Sequence, residues 1–69
     1  MNKAEIIKAL RDKKKRYFSV DIVTEKGTKT VFDTKDGWKM NCFLGDLYYT
    51  DEELANELIG WDEEIIYID

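Results

Sequence analysis

The 69-residue sequence contains no histidine and no proline, and its single cysteine is Cys42. Without histidine, the chain lacks the commonest general base and the commonest transition-metal ligand, and no Ser-His or Cys-His nucleophile pair can form. One cysteine supplies neither an internal disulfide nor the ligand set of a structural zinc site. Side-chain alternation places Cys42 on an inward face, where a thiol acts as a small hydrophobic group. We therefore expect a protein that is not an enzyme and that uses no cofactor or metal.

Long hydrophobic runs are also lacking. The longest apolar run is residues 65–68, far below the roughly 20 residues that span a bilayer. Near its N-terminus the chain has no hydrophobic segment of the kind that a secretory signal contains. Together with the lone cysteine, these absences predict a cytoplasmic protein that does not contact membranes. Nine lysines against two arginines and seven isoleucines indicate an AT-rich coding genome, such as that of a low-GC bacterium or its phage.

The acidic residues and the glycines form no recognised site motif. Asp33-x-x-Asp36-Gly37 lacks the further oxygen ligands and the closing glutamate of a calcium loop. The four glycines are scattered along the chain, and none belongs to a phosphate-binding loop. The sequence thus favours a binding function over a catalytic one.

Positive charge is confined to the first part of the chain. Residues 1–39 hold all eleven lysines and arginines against six acids, a net charge of +5, whereas residues 40–69 hold nine acids and no base. The whole chain carries a net charge of −4. Such a division indicates a polyanion-binding face, an acidic face for a basic partner, or two ends of one domain that attract each other.

The chain begins with a helix over about residues 3–15. Asn2 and Glu5 form a capping-box pattern, in which each side chain accepts from a free backbone N–H group of the other. The apolar stripe of this helix consists of Ile6, Ile7, Ala9 and Leu10. The basic run from Lys13 to Arg16 follows it, in the last turn, where the helix dipole favours cations.

Apolar and polar residues then alternate through three segments, residues 17–24, 28–34 and 38–44. The breaks between them end in Gly27 and Gly37, a pattern typical of three-residue hairpin loops. The pattern therefore predicts a meander of three antiparallel strands joined by two such loops.

These loops divide the side chains between two faces. The predicted inward face carries Phe18, Val20, Ile22, Phe32, Trp38, Met40, Cys42 and Leu44. On the predicted outward face, Asp33 lies opposite Lys39. Two-residue loops would instead place Lys29, Asp33 and Lys35 among the apolar side chains, where burial of charge is costly.

A second helix over residues 51–59 and a last strand over residues 64–68 complete the fold. Thr50 and Glu53 form another capping box, and Gly60 ends the helix. Its apolar stripe is Leu54, Ala55, Leu58 and Ile59. The last strand lies at an edge or pairs with the first strand. The prediction is one small α+β domain over residues 1–69, of order α-β-β-β-α-β, with both helices on the apolar face of an antiparallel sheet.

The first functional hypothesis is a non-catalytic protein-binding module whose acidic C-terminal half docks on a basic partner. Aromatic rings supply contact area, and the surrounding acids steer association. The candidate residues are Tyr48, Tyr49, Glu57, Trp61, Asp62, Glu63, Glu64 and Tyr67. An extreme form is an inhibitor of phage or mobile-element type that mimics nucleic acid. In the competing interpretation, the aromatic residues belong to the core and the acids only keep the domain in solution.

The alternative hypothesis is nucleic-acid binding through the basic end of the first helix. Its candidate residues are Lys8, Arg11, Lys13, Lys14, Lys15 and Arg16. The α-β-β-β-α order is similar to that of the double-stranded-RNA-binding domain. That family has its basic signature at the start of the second helix, where this chain has Asp51, Glu52 and Glu53.

Residues 65–68 also offer an isoleucine-rich strand edge for homodimerisation. Glu63, Glu64 and Asp69 flank this strand, and their charges oppose uncontrolled association.

Overall fold

The computed structural model describes residues 1–40, 47–61 and 63–69. Its elements are α1 (Lys3–Lys13), β1 (Ser19–Thr24), β2 (Gly27–Thr34), β3 (Gly37–Lys39), α2 (Asp51–Ile59) and β4 (Ile65–Ile68). The strands form one antiparallel sheet of order β3-β2-β1-β4, and the helices lie side by side on one of its faces. The α+β class and the element order are confirmed. β4 lies at an edge and pairs with β1.

Both helices begin at the capping boxes that the sequence indicates. In α1, the Glu5 N–H group donates to Asn2 Oδ1 at 2.9 Å, and the Asn2 N–H group donates to Glu5 Oε1 at 2.9 Å. Thr50 and Glu53 make the same reciprocal pair at the start of α2. The C-cap of α2 is Gly60, in a right-handed conformation. The two capping boxes satisfy backbone N–H groups that have no partner inside the helix.

α1 ends earlier than predicted, at Lys13 instead of residue 15. Lys14 is extended, and Lys15 adopts a left-handed φ of 67°. Asp33 Oδ2 accepts a hydrogen bond of 2.7 Å from the Lys15 backbone N–H group, which fixes this bend against β2. Strand pairing then starts at Ser19, two residues later than predicted.

The core lies between the helices and one face of the sheet. Its buried residues are Ile6, Leu10, Val20, Ile22, Val31, Trp38, Leu54, Ala55, Leu58, Ile65 and Ile68. Ile7 and Ala9 are only partly buried against this cluster. Ile59, predicted for the apolar stripe of α2, is exposed because it lies on the outer side of the helix.

The predicted three-residue loops are wrong. Thr24 pairs with Gly27 and Thr34 pairs with Gly37, so each loop contains two residues. In both turns the threonine Oγ1 atom accepts from the N–H group two residues later and donates to the glycine carbonyl oxygen. Threonine, rather than the glycine alone, therefore defines the turn.

This register moves the side chains of β2 by one residue relative to β1 and leaves β3 in its predicted alignment with β1. The predicted inward positions on β2 are therefore wrong, whereas Trp38 of β3 is buried as predicted. Val20 lies opposite Val31, and both are buried. Phe32 faces outward instead of inward, in contact with Phe18, which is 77% exposed. Asp33 lies opposite Trp38 instead of Lys39. Cys42 and Leu44, also predicted to face inward, lie outside the described residues.

The charges that seemed to forbid this register lie at the rim of the covered face. Lys29 Nζ is 3.3 Å from Glu63 Oε1 and 4.2 Å from the centre of the Trp61 ring. Asp33 accepts from Lys15, and Lys35 is in the turn after β2. Because each charge has a partner or reaches solvent, the burial penalty does not arise.

The remaining strand bounds differ from the prediction by small amounts. β2 begins at Gly27, one residue earlier than predicted, and β4 begins at Ile65, one residue later. β3 covers Gly37–Lys39, while residues 41–44 of the predicted strand lie outside the described part of the chain. Among the described residues, no helix is long and apolar enough to cross a membrane.

Candidate nucleic-acid interface

The two helices pack on one face of the sheet, and no helix or strand of the described residues covers the other face, which we call the open face. At the end where β2 turns into β3, one row of this face consists of Ser19, Phe32 and Lys39 on adjacent strands. In the next row Thr30 Oγ1 donates to Asp21 Oδ1 at 2.8 Å, which places both side chains on the same face. In these rows the open face is therefore mainly polar, in contrast to the mainly apolar covered face.

Four aromatic rings lie at this end of the open face, and we call them the aromatic corner. They are Tyr17, Phe18, Phe32 and Tyr48. The Phe18 and Phe32 rings meet edge to face, with centroids 5.7 Å apart. Tyr17 is 55% exposed, while Phe32 and Tyr48 are half-buried. Large exposed rings in one place are more informative than scattered ones, because they mark contact surfaces.

Cations accompany these rings. Lys13 Nζ lies 5.4 Å from the centre of the Tyr17 ring, and Lys39 Nζ lies 5.6 Å from the centre of the Tyr48 ring. Both distances are within cation–π range. The corner thus combines flat π-surfaces with lysine ammonium groups.

A second group of lysines lines an open cavity of about 400 Å³ beside the turn between β2 and β3. Its walls are Lys14, Lys15, Asp33, Thr34, Lys35 and Gly37, and we call it the lysine cavity. Three cations against one carboxylate make this cavity electropositive.

The predicted basic residues differ in their surroundings. Arg11 Nε donates to Asp51 Oδ2 at 3.2 Å, and Lys14 Nζ is 3.8 Å from Asp51 Oδ1. Lys8 lies on the exposed side of α1, before the bend that leads to β1. Lys13 lies at the aromatic corner, Lys15 lines the lysine cavity, and Arg16 is exposed between them and β1.

The aromatic residues proposed for acidic docking do not form one surface. Tyr48 and Tyr49 lie beside β3, where Tyr49 exchanges two backbone hydrogen bonds with Trp38. Tyr67 is 52% exposed on β4, at the opposite edge of the sheet. Trp61 follows α2 and packs against the core.

The predicted acidic residues also differ in their surroundings. Glu63 has a side chain only 10% exposed, and it is paired with Lys29. Glu57 is exposed on α2, and Glu64 is exposed before β4. Asp62 lies outside the described residues. The acids still available to a partner are therefore on the outer side of α2 and near the start of β4.

Phe18, Phe32, Lys35 and Lys39 are candidate interface residues that the sequence alone does not identify. The predicted hairpin register, one residue away from the observed one, places Phe32 in the core, and the alternation predicted from residue 17 onward places Phe18 there. The signal that could have corrected it is the repeated Thr-x-x-Gly pattern at residues 24–27 and 34–37. A threonine that closes its own turn favours the shorter loop.

The described residues include no group of three or more metal-ligating side chains positioned to hold an ion. The aromatic corner can bind a ligand by stacking, and the lysine cavity can bind one by charge. Comparison of the chain with protein-family models, with curated proteins and with solved structures finds no match.

Proposed function

We propose that this chain is a non-catalytic module that binds single-stranded nucleic acid on its open face. The observation that carries the proposal is the coincidence of the aromatic corner with the basic end of α1. Tyr17 and Phe18 directly follow the run from Lys13 to Arg16 in the chain, so rings and cations reach one surface together.

The rings supply the sequence-tolerant part of binding. Bases stack on exposed aromatic side chains, and each such contact contributes about 1–3 kcal/mol. Phe18 projects far into solvent, although burial of a phenylalanine is ordinarily favourable by about 1.5–3 kcal/mol. A stacked base would cover this ring and recover the hydrophobic energy that folding leaves unused.

Single strands fit this surface better than duplexes. In a duplex the bases are stacked on each other, and their faces cannot reach rings on a protein surface. The second helix also begins with Asp51, Glu52 and Glu53, so a phosphate backbone cannot lie across that helix N-terminus. Stacking on the corner therefore requires bases that have no partner strand.

The test is the binding of a fluorescein-labelled oligothymidylate of about 12 nucleotides, within the range that such surfaces cover. We expect fluorescence anisotropy to show binding at low salt that weakens as salt rises. Phe18→Ala should raise the Kd about fivefold or more, because it removes one stacking ring.

Tyr67→Ala is the matched control. Tyr67 is also an exposed ring of the sheet, but it lies on the opposite edge strand. Its removal should leave the Kd within about twofold, which corresponds to less than about 0.5 kcal/mol. Equal losses for the two variants, or no binding by the parent protein at low salt, would refute the proposal.

A second candidate function is docking on a basic protein, and the exposed side of α2 favours it. This side carries the exposed residues Glu52, Glu53 and Glu57, and the half-exposed Ile59 is the last residue of the helix. The α2 sequence contains no basic residue to neutralise them. Surface charges of one sign steer the approach of a partner of the opposite sign.

This second function is tested by capture from lysate of the source cell after nuclease treatment. A nuclease-resistant protein should bind the parent chain and be lost with the double variant Glu52→Gln, Glu57→Gln. The charge-preserving variant Glu52→Asp, Glu57→Asp should retain it. Capture that does not change with either variant would exclude the α2 surface.

A further inference from the structure

We infer that the lysine cavity holds a backbone phosphate of the bound strand, while bases stack on the aromatic corner. This inference rests on the proposed function and assigns it a second subsite. Two distinct elements build the cavity, since Lys14 and Lys15 come from the bend after α1, and Lys35 comes from the turn between β2 and β3.

Lys15 and Lys35 are the cations available to a phosphate. In the described part of the chain, neither ammonium group has a carboxylate within 4.0 Å, whereas Lys14 is shared with Asp51 at 3.8 Å. The one carboxylate of the cavity, Asp33, already accepts the Lys15 backbone N–H group at 2.7 Å. The cavity therefore has two positive charges that no described protein group neutralises at close range.

The backbone at Lys15 is arranged at an energetic cost. A non-glycine residue with φ of 67° is disfavoured by about 1–2 kcal/mol, and the hydrogen bond to Asp33 stabilises it. This conformation turns the chain after α1 toward the β2–β3 turn and brings Lys15 to the same cavity as Lys35. Strain of this kind is found at sites where side-chain position matters.

The position of the cavity suits a continuous strand. Asp33 and Thr34, which line it, directly follow Phe32 in β2, and Phe32 belongs to the aromatic corner. Successive side chains of a strand point to opposite faces, so Phe32 lies on the open face and Asp33 on the covered face. The lysine cavity therefore lies round the end of the sheet from the aromatic corner, at the β2–β3 turn, and a nucleic-acid strand stacked on the corner passes round this end to place a phosphate in the cavity.

The experiment measures how the Kd of the labelled oligothymidylate depends on salt for the double variant Lys15→Gln, Lys35→Gln. Loss of one phosphate contact with a single strand should reduce the slope of log Kd against log salt by about 0.7. We also expect the Kd at low salt to rise several-fold. Thermal unfolding by circular dichroism checks that the variant is folded.

Lys3→Gln, Lys26→Gln is the matched control, because it removes the same charge. Lys26 is in the turn between β1 and β2, which has the same threonine hydrogen bonds but lies at the other end of β2. This control should preserve the slope.

A third variant separates charge from backbone geometry. Lys15→Gly permits the left-handed conformation without strain, so the protein should remain at least as stable, yet its oligonucleotide binding should weaken. Binding by the parent with an unchanged slope in Lys15→Gln, Lys35→Gln would overturn the phosphate subsite alone. No binding by the parent would overturn the proposed function and this inference with it.

Discussion

Phe18 is the residue whose exposure departs most from the predicted inward face. It is exposed at the end of β1 and touches the Phe32 ring edge to face. Because little besides this contact is lost, Phe18→Ala should lower the free energy of unfolding by no more than about 1.5 kcal/mol. Urea unfolding measures this change. A core phenylalanine would instead cost about 3–5 kcal/mol when truncated to alanine.

Truncation of Val31, on the neighbouring strand β2, should cost more stability than truncation of Phe18. The side chain is 1% exposed, directly across from Val20. Val31→Ala should cost about 2 kcal/mol, from two methyl groups at about 0.8 kcal/mol each and a cavity term. Three-residue loops would place Val31 on the open face, so a loss well below 1 kcal/mol for Val31→Ala in urea unfolding would mean that the two-residue loops are wrong.

Trp38 belongs to a set of contacts that joins three elements at the centre of the molecule. It is fully buried, and its Nε1–H group donates to Asp51 Oδ1 at 2.8 Å. The same carboxylate binds Arg11 and Lys14 from the end of α1. Asp51 therefore joins β3, α1 and α2, which explains why the first acid of the second helix is unavailable to a partner.

At the level of elements, the helices and the element order can be predicted from sequence, whereas the cost of burying charge predicts the wrong hairpin register. The capping boxes of Asn2 and Thr50 are local patterns, and local hydrogen bonds decide them. The hairpin register depends on which charged side chains can reach a partner or solvent once the helices cover one face of the sheet. A lysine on the covered face is unfavourable unless it has a partner. The partner of Lys29 is Glu63, which is distant in the chain, so no local pattern in the sequence indicates this pair.

The assignment of two phenylalanines to the core conceals most of the candidate site. When Phe18 and Phe32 are assigned to the core, no exposed phenylalanine rings are expected beside the basic run at the end of α1. Lys35 and Lys39 lie close to the second turn, and only the folded hairpin brings Lys35 to the lysine cavity. The sequence therefore identifies the cations at the end of α1 but, among the rings of the aromatic corner, only Tyr48.

The two hairpin glycines provide a prediction at the same scale. Gly27 has a φ of 140°, and a Cβ atom added there would have no other atom within 4 Å, whereas a Cβ at Gly37 would lie 2.7 Å from the Tyr49 carbonyl oxygen. Gly27→Ala should cost about 1–3 kcal/mol from backbone strain. Gly37→Ala should cost more, because it also disrupts the Tyr49–Trp38 backbone hydrogen bonds.

Urea unfolding of both glycine variants decides this point. Each substitution introduces the same methyl group at a turn with the same threonine hydrogen bonds, so the difference between them isolates the close approach of Tyr49. Equal losses of stability would show that the segment containing Tyr49 does not press on the β2–β3 turn.

At the scale of the whole molecule, part of the charge division is used inside the fold. Among the residues that the structure describes, three ion pairs join the basic part of the chain to the acidic part, through Asp51 and Glu63. Self-attraction of the two ends therefore accounts for some of the asymmetry. The exposed acids of α2 remain, and they repel a polyanion that approaches the open face.

This repulsion leads to a prediction about association rates. The molecule measures 27 × 25 × 17 Å, which is within the screening length of roughly 30 Å at 0.01 M salt but well beyond that of roughly 10 Å at 0.1 M. Glu52→Gln, Glu57→Gln should therefore speed oligonucleotide association about twofold at 0.01 M salt and leave it unchanged at 0.1 M. Stopped-flow anisotropy measures both rates.

The charge-preserving variant Glu52→Asp, Glu57→Asp should leave the rate at its parent value, since only the long-range field is at issue. The dissociation rate should not change in either variant, because α2 lies on the covered face of the sheet, away from the aromatic corner. A changed dissociation rate with Gln would mean that these carboxylates contact the strand. If both binding functions exist, the Gln variant affects them with opposite signs: it binds the oligonucleotide faster and loses the basic partner. The same two variants thereby assign each function to its own face of the molecule.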